Sequence, residues 1–226
     1  CYSTLQVLIA TVFLHAIGQA SVKITGKGLY KGTKTVNFNI RPATVTKLKV
    51  SSTGEKSVKL SWKKITGADS YAIYRYDNTS KKWHRIKTVK AVSFTDSGLA
   101  RAKGYSYKVK AVKKSGGKEY ISASYSKAVE AVTKPAKASC TAKSSGSGSI
   151  EVSWKAVGGA SGYEIYSSSN GSDYVKSAKV GGSQKSAIVS GFEPYSLRMV
   201  KVRAYKTVNG KTSYGAFSQA VMVIVK

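Results

Sequence analysis

Residue types that perform acid–base, nucleophilic or metal chemistry are scattered in this sequence of 226 residues. The two histidines, His15 and His84, lie far apart, the first in an apolar segment and the second on a predicted strand. The ten acidic residues are spread along the chain. A catalytic triad, an acid–base pair or a metal site needs such groups close together. We therefore expect no enzymatic activity, no cofactor and no metal site.

Two further motifs also favour structural interpretations. Cys1 and Cys140 are too far apart in sequence to suggest metal ligation, and a disulfide between them is the less favoured interpretation. The glycine-rich stretch "GKGLYKG" (26–32) lacks the strand-to-helix context and the Ser or Thr of a phosphate loop. It therefore predicts a hairpin turn.

One group of side chains could bind a ligand. Alternation along "SYAIYRY" (70–76) places Tyr71 and Ile73 inward and Ala72, Tyr74 and Tyr76 outward. Rings beside cations suit sugar faces, stacked bases or anionic polymers. The candidate ligand-binding face consists of Tyr74, Trp83, Arg85, Lys108 and Lys110. The alternative is a sheet face that lysines keep soluble and on which tyrosines cover their cross-strand neighbours.

The hydrophobicity of the sequence alternates with a period of two, which indicates strands with one buried face. These strands would position the side chains described above. In the stretch 57–63, Val58, Leu60 and Trp62 fall on one face, and Lys59 and Lys63 fall on the other. Similar short strands follow one another from residue 46 to residue 225, separated by turn residues, and the stretch 120–132 is predicted to be one of them. This arrangement predicts β-sandwiches.

One stretch of sequence occurs twice. "SWKKITGADSYAIYRY" (61–76) returns as "SWKAVGGASGYEIYSS" (153–168), with a constant offset of 92 residues. A repeat of this length is too long for a solenoid unit and suits a small domain with its own core. We predict two tandem domains, residues 41–134 and 135–226, preceded by a separate segment, residues 1–40.

The charge is strongly unbalanced. The chain has 38 Lys and Arg against 10 Asp and Glu, a net charge of +28, and residues 41–134 alone hold 22 basic and six acidic residues. This balance favours anionic partners, although a solvated surface without a ligand is the alternative. Any binding should be to polyanions, carried mainly by residues 41–134 and weakened by salt.

The order of Trp62, Tyr71 and Ile73, followed by "GLARAKGYSYKVKAV" (98–112), resembles the fibronectin type III family, and the second repeat has the same order. The resemblance implies an all-β fold of two tandem immunoglobulin-like β-sandwiches with an N-terminal β-hairpin remnant. It also implies that Tyr105 forms a tyrosine corner, a hydroxyl bonded to the preceding backbone. Arg198 takes that position in the second repeat, so we expect the second sandwich to be the less stable one.

Residues 16–40 resemble the last strands of an immunoglobulin-like repeat of bacterial surface proteins, because "SVKIT" and "TVNFNI" alternate around a turn. This implies a fragment of a longer protein. The apolar stretch 5–20 is similar to the core of a signal peptide, but it lacks a Met and a basic start. It is also shorter than the roughly 20 apolar residues that span a bilayer, so we expect no membrane span.

These resemblances imply monomeric, non-catalytic spacer or adhesion modules of a larger bacterial protein, extracellular or on the cell surface. Two alternatives stay open: a binding module for carbohydrate or anionic wall polymer, and an accessory region of a secreted hydrolase whose catalytic domain lies outside this chain. The expected partners are cell-wall polymers, polysaccharide or host surface proteins rather than nucleic acid.

Overall fold

The computed structural model describes residues 9–13, 17–26 and 31–226. Cys1, His15 and most of the predicted turn at 26–32 lie outside these residues. The described residues form β-strands and no α-helix, as the period of two predicts. None of them belongs to a helix that could cross a membrane.

The N-terminal segment forms a three-stranded antiparallel sheet in the order β1 (Ile9–Phe13), β2 (Gly18–Thr25) and β3 (Thr33–Ile40). Strands β2 and β3 pair from Gly18 opposite Ile40 to Thr25 opposite Thr33, which confirms the predicted hairpin. Strand β1 adds a third strand in the stretch that is similar to the core of a signal peptide.

The first repeat contains two sheets. One has the order β4 (Lys49–Thr53), β5 (Ser57–Ser61) and β8 (Ser93–Ser97). The other has the order β10 (Lys118–Ile121), β9 (Gly104–Ser115), β6 (Ser70–Asp77) and β7 (Lys82–Val89), and β11 (Val129–Val132) also pairs with β9.

The second repeat has the same two sheets. One has the order β12 (Cys140–Gly146), β13 (Ser149–Trp154) and β16 (Ser186–Ser190). The other has the order β15 (Val175–Gly181), β14 (Gly162–Ser168), β17 (Leu197–Val208) and β18 (Lys211–Tyr214), with β19 (Val221–Ile224) on β17. The chain thus contains two tandem immunoglobulin-like β-sandwiches, as predicted.

One predicted strand is wrong. The stretch 120–132 was expected to be a single strand, but β10 ends at Ile121 and β11 begins at Val129. The segment between them bonds back to β9, since Ser126 donates its backbone N–H to the Val109 carbonyl and accepts the Val109 N–H on its hydroxyl. These bonds hold a loop residue, Tyr125, beside the outer face of the sheet.

The repeated Trp and Tyr lie in the cores. Trp62 and Trp154 are both 6 % exposed, and their ring centroids lie 5.3 Å and 5.1 Å from those of Tyr71 and Tyr163. The Tyr71 hydroxyl accepts the backbone N–H of Ile65 at 2.8 Å. The repeat is therefore architectural: the same pair of aromatic residues anchors each sandwich.

Tyr163 repeats this bond in the second sandwich, where its hydroxyl accepts the backbone N–H of Val157 at 2.7 Å. The connection that precedes each Tyr turns at a glycine with positive φ, Gly67 at +77° and Gly159 at +76°. A glycine takes this left-handed conformation without the steric cost that a Cβ atom adds. The repeated glycine thus allows the turn that carries the bonded N–H.

Parity along β5 is also confirmed. Val58 and Leu60 are fully buried, whereas Lys59 and Lys63 are exposed. The core of the second sandwich follows the same alternation and includes Ile150, Val152, Trp154, Tyr163, Ile165, Val189, Val200, Val202, Ala204, Val223 and Val225.

The tyrosine corner forms in the first sandwich. The backbone N–H of Ala100 donates to the Tyr105 hydroxyl at 2.9 Å. At the equivalent place in the second sandwich, the Arg198 guanidinium lies 4.8 Å from the centroid of Phe192, and its buried Nε has no hydrogen-bond partner among the described residues. The lower stability expected of the second sandwich stays a prediction.

The backbone groups into two compact units, residues 1–49, 61–94 and 107–129 in one and residues 50–60, 95–106 and 130–226 in the other. The predicted domain limits, residues 1–40, 41–134 and 135–226, stay a prediction. Separating the chain between residues 134 and 135 tests them.

Candidate functional site

The sheet register brings the five candidate side chains onto one face. Tyr74 lies opposite Arg85 on β7 and opposite Lys108 on β9. The next positions on the same face pair Tyr76 with Trp83 and Ala72 with Lys110. Residues directly opposite each other in antiparallel strands point to the same side of the sheet, so these residues form one outer face. That this face binds a ligand remains a prediction.

Ala72 was predicted to point outward but is completely buried. Its single methyl group lies between the longer side chains of its partners, Thr88 on β7 and Lys110 on β9. The face is therefore covered by its own side chains at this point.

Aromatic rings of the protein itself surround the two lysines. Lys108 Nζ lies 4.4 Å from the centroid of Trp83 and 5.4 Å from that of Tyr125. Lys110 Nζ lies 4.3 Å from the Tyr125 centroid and donates to the Ala123 carbonyl at 3.0 Å. Ammonium groups at these distances are attracted to the negative face of the ring. Both lysines therefore have intramolecular partners.

Tyr125 is the member of this cluster that sequence reasoning missed. It lies in the loop between β10 and β11, and its ring meets Tyr74 edge to face, with centroids 5.0 Å apart. Burial raises the pKa of Tyr74 above its ordinary value, with a further contribution from Tyr125. Burial lowers the pKa of Lys110, and the charge of Arg41 adds to this effect. No strand periodicity marks a loop residue as part of a sheet face.

Arg85 already has an anionic partner. Its Nη1 donates to Glu119 Oε2 at 3.0 Å, and its Nε and Nη2 donate to the Thr88 hydroxyl. The bond from Arg85 holds the pKa of the Glu119 carboxyl below its ordinary value. An incoming anion would therefore compete with Glu119 for this guanidinium.

The second sandwich carries an equivalent cluster that the sequence interpretation did not include. Lys201 Nζ lies 3.4 Å from the centroid of Tyr174 and 4.5 Å from that of Phe217, as Lys108 lies between Trp83 and Tyr125 in the first. Phe217 meets Tyr166 edge to face at 5.0 Å. The offset of 92 residues relates Tyr166 to Tyr74 and Phe217 to Tyr125. Lys201 lies 93 residues after Lys108 and Tyr174 lies 91 residues after Trp83, so the offset alone does not place them.

A buried carboxylate distinguishes the second copy. Glu164, at the position of Ala72, is 2 % exposed, and its Oε2 accepts bonds from Arg203 Nε at 3.0 Å and Nη2 at 2.8 Å. Lys176 Nζ lies 3.5 Å from its other oxygen. Burial raises the pKa of Glu164, but the bond and charge of Arg203, helped by Lys176, outweigh burial and leave the pKa lowered. Arg203 and Lys176 on the outer face of the second sandwich thus have an anionic partner within the same sandwich.

The structure brings Ser80, His84 and Asp77 together in the turn between β6 and β7. Ser80 Oγ donates to Asp77 Oδ2 at 2.6 Å and lies 2.9 Å from His84 Nε2. The serine hydroxyl has one proton, and when that proton is donated to Asp77, His84 Nε2 can meet Ser80 Oγ only as a donor. In a hydrolytic triad the histidine accepts the serine proton and the carboxylate orients the histidine.

The bonds to Asp77 instead stabilise the turn. The hydroxyl of Ser80 and the backbone N–H groups of Thr79 and Ser80 lower the pKa of Asp77 to about 2. The described part of the chain holds no cluster of three or more His, Cys, Asp or Glu residues that could bind a metal. Cys140 is a free thiol 3.1 Å from the Ser218 hydroxyl.

Comparison with known proteins gives one curated relative. No family model matches the chain. A poly(3-hydroxybutyrate) depolymerase of Ralstonia pickettii is 42 % identical over 97 residues, which is 43 % of this chain and 18 % of the depolymerase. The chain thus matches less than a fifth of that relative's length.

Solved structures that are similar to the chain contain fibronectin domains. The FN1–FN3 domains of chicken CNTN1 are 17 % identical with a TM-score of 0.42, over 92 % of this chain and 77 % of theirs. A two-domain fibronectin type III segment of chicken tenascin is 16 % identical with a TM-score of 0.46, over 80 % of this chain and 98 % of its own. The chain's own sheets establish its fold as a tandem pair of immunoglobulin-like, fibronectin type III-like β-sandwiches.

Proposed function

We propose that the chain is a non-catalytic accessory module of a larger extracellular bacterial protein, in which the two sandwiches act as spacer or adhesion domains. The carrying observation is that the side chains repeated between the sandwiches have internal partners. The repeated Trp and Tyr pairs lie in the cores, and the repeated outer-face lysines contact rings of their own sandwich. Side chains used in this way stabilise a module rather than perform a reaction.

The depolymerase similarity supports one setting for such a module. The 97 matched residues are close to the length of one 92-residue repeat and leave most of the depolymerase unmatched. By analogy, the chain would be an accessory region of a polymer-degrading enzyme whose catalytic domain lies outside these residues. This setting is compatible with the spacer role, because a spacer positions a catalytic domain relative to its polymer.

Incubating the chain with poly(3-hydroxybutyrate) granules and with p-nitrophenyl esters tests the non-catalytic role. We expect no product release above the buffer control. Release of hydroxybutyrate or nitrophenol that the Ser80→Ala variant abolishes would contradict the proposal, because the only grouping of Ser, His and Asp side chains found in the described residues would then be catalytic.

A second candidate function, binding of an anionic polymer, is favoured by the charge. Residues 41–134 hold 22 basic and six acidic residues, and a surplus of this size attracts anionic chains at low ionic strength. Titrating the chain with a polyanion and with neutral glycans at low and high salt tests this candidate. Salt-resistant binding to a neutral glycan that Trp83→Ala abolishes would favour a stacking site instead.

A further inference from the structure

A small groove beside Trp62 is surrounded by lysines. It has a volume of about 290 Å³ and lies where β4 and β5 of the first sandwich meet. Its lining consists of Lys47, Lys49, Ser61, Trp62 and Lys63. The Lys63 N–H donates to the Thr46 carbonyl at 3.1 Å, which holds Lys63 beside Lys47. Three of the five lining residues are therefore cationic.

These three lysines lack anionic partners. All three are exposed, and none forms an ion pair with a carboxylate in the part of the chain that the structure describes. Lys110, in contrast, contacts Tyr125 and the Ala123 carbonyl. Lys47 also has a φ of +55°, in the left-handed region that few residues other than glycine occupy. The groove thus concentrates positive charge that no carboxylate among the described residues neutralises.

The second sandwich contains a groove at the equivalent place. Comparing the residues that line the two grooves shows which of them the fold requires. That groove has a volume of about 490 Å³ and is lined by Ser139, Cys140, Thr141, Ser153, Trp154 and Lys155. At the offset of 92 residues, the Ser, the Trp and the last Lys are the same in both grooves. Lys47 and Lys49 are replaced by Ser139 and Thr141.

The same sandwich forms with one lysine at this place or with three. The two additional lysines of the first groove are therefore not required by the fold. Like charges held close together repel each other, and a bound anion would relieve that repulsion. An anion-binding site would explain why these lysines lie together at this groove, which the high total charge of the chain does not explain.

We propose that the Trp62 groove binds a phosphate group of a flexible phosphodiester polymer. The proposal rests on the second candidate function, anionic polymer binding, and assigns it to a place. Compact ammonium groups act as point charges that suit phosphate oxygens, and Arg, which favours planar bidentate contacts, is absent from the lining. A volume of about 290 Å³ is at the lower limit of ligand pockets, so the groove holds one charged group while the rest of the polymer stays in solvent.

The three tryptophans of the chain allow a direct test. Trp62 reports on the proposed groove, Trp154 on its equivalent, and Trp83 on the aromatic face of the first sandwich. Poly(glycerol phosphate) is titrated into the ¹⁵N-labelled chain at low salt, and the three indole signals and the backbone amides are followed. We expect shifts at Trp62 and at the amides of Lys49 and Lys63, with little change at the other two indoles.

Two double variants that each remove two lysines distinguish binding in the groove from a general effect of the net charge. Lys47→Ser with Lys49→Thr introduces the residues of the second groove. Lys81→Ser with Lys82→Thr makes the same substitutions at the last turn residue before β7, where Lys81 has a φ of +54°, and at the first residue of β7. Loss of two charge-assisted contacts should weaken binding about tenfold in the groove variant, against less than about twofold in the control.

The outcomes distinguish phosphate binding in the Trp62 groove from anionic polymer binding elsewhere on the chain. Equal weakening by both variants, or shifts centred on Trp83, would overturn the groove while leaving polyanion binding in place. No binding of poly(glycerol phosphate) at low salt would overturn both and leave the spacer role. Heparin, titrated in parallel, identifies the oxyanion: tighter binding of heparin at the same residues would replace phosphate by sulfate and contradict the proposal as stated.

Discussion

Lys108 Nζ lies over the ring of Trp83, 4.4 Å from its centroid. The second sandwich repeats this relationship with Lys201 over Tyr174 at 3.4 Å. In each case a cation of the protein covers a ring face that a sugar would need for stacking. A neutral glycan would have to displace the lysine, so the geometry favours the interpretation of a stabilising surface over that of a sugar site.

Replacing Lys108 by Met tests this relationship, because Met keeps the apolar stem and removes the charge. Loss of a surface cation–π contact should lower the free energy of unfolding by about 0.5–1 kcal/mol. Urea denaturation followed by Trp fluorescence measures the change. Lys87→Met is the control, because Lys87 is an exposed lysine on β7 of the same sheet and contacts no aromatic ring of the described residues. This variant should stay within about 0.5 kcal/mol of the parent chain. Equal effects of both substitutions would contradict the contact.

The two buried Tyr hydroxyls should contribute similarly to stability. Tyr71→Phe leaves the Ile65 N–H without its acceptor, and Tyr163→Phe does the same for Val157. A buried N–H without a partner costs about 1–3 kcal/mol, so each variant should melt at a lower temperature. Tyr195→Phe, at a side chain that is 86 % exposed, is the control. Unchanged melting of both core variants would show that these bonds are not made.

The repeated tryptophans should contribute more. Both are 6 % exposed, and removing a large aromatic side chain from a core costs about 3–5 kcal/mol. That is a large part of the stability of a small domain. Trp62→Ala and Trp154→Ala should therefore each unfold one sandwich under conditions that leave the other folded, as measured by two-dimensional NMR. A variant with two intact sets of signals would show that its tryptophan is not a core residue.

Sequence reasoning predicted the parts of this molecule that have a local period. Alternation along β5, β6, β7 and β9 is enough to place Trp62, Tyr71 and the outer-face cluster of Tyr74, Trp83, Arg85, Lys108 and Lys110. The partners of these residues could not be predicted in the same way. Tyr125 lies in an aperiodic loop, and Glu119 reaches Arg85 only because β10 folds back onto β9.

Parity places Ala72 on the outer face but does not predict its burial, because its side chain is too small to reach solvent between its neighbours. The lysine groove depends on the meeting of β4 with β5, a contact that no single stretch of sequence contains. Such features are set by packing between elements, and sequence patterns describe one element at a time.

The buried Glu164 should make the second sandwich sensitive to acid. Its pKa in the folded protein is lowered from an ordinary value of 4.5, so the unfolded chain binds more protons in the interval between the two values. The stabilisation is complete above the ordinary value and is lost as the pH falls through the lower folded value. Urea unfolding of the chain at a series of pH values below 6 should show this loss.

Glu164→Gln provides the comparison, because the amide does not titrate. The variant should be less stable than the parent chain at neutral pH and should lose less stability on acidification. The first sandwich has Ala72 at this position, but the lowered pKa values of Asp77 and Glu119 give it an acid sensitivity of its own. Only the difference between the parent chain and Glu164→Gln therefore reports on Glu164. Parallel pH dependences of parent and variant would contradict the assigned pKa direction.

We predict that each repeat folds on its own as a complete sandwich, and separating the chain between residues 134 and 135 is the test. Residues 41–134 and 135–226 are produced as separate polypeptides, and their ¹H–¹⁵N spectra are compared with that of the whole chain. We predict two dispersed spectra whose core signals, including the Trp62 and Trp154 indoles, coincide with those of the whole chain. Collapsed spectra typical of unfolded polypeptide from both pieces would contradict the account.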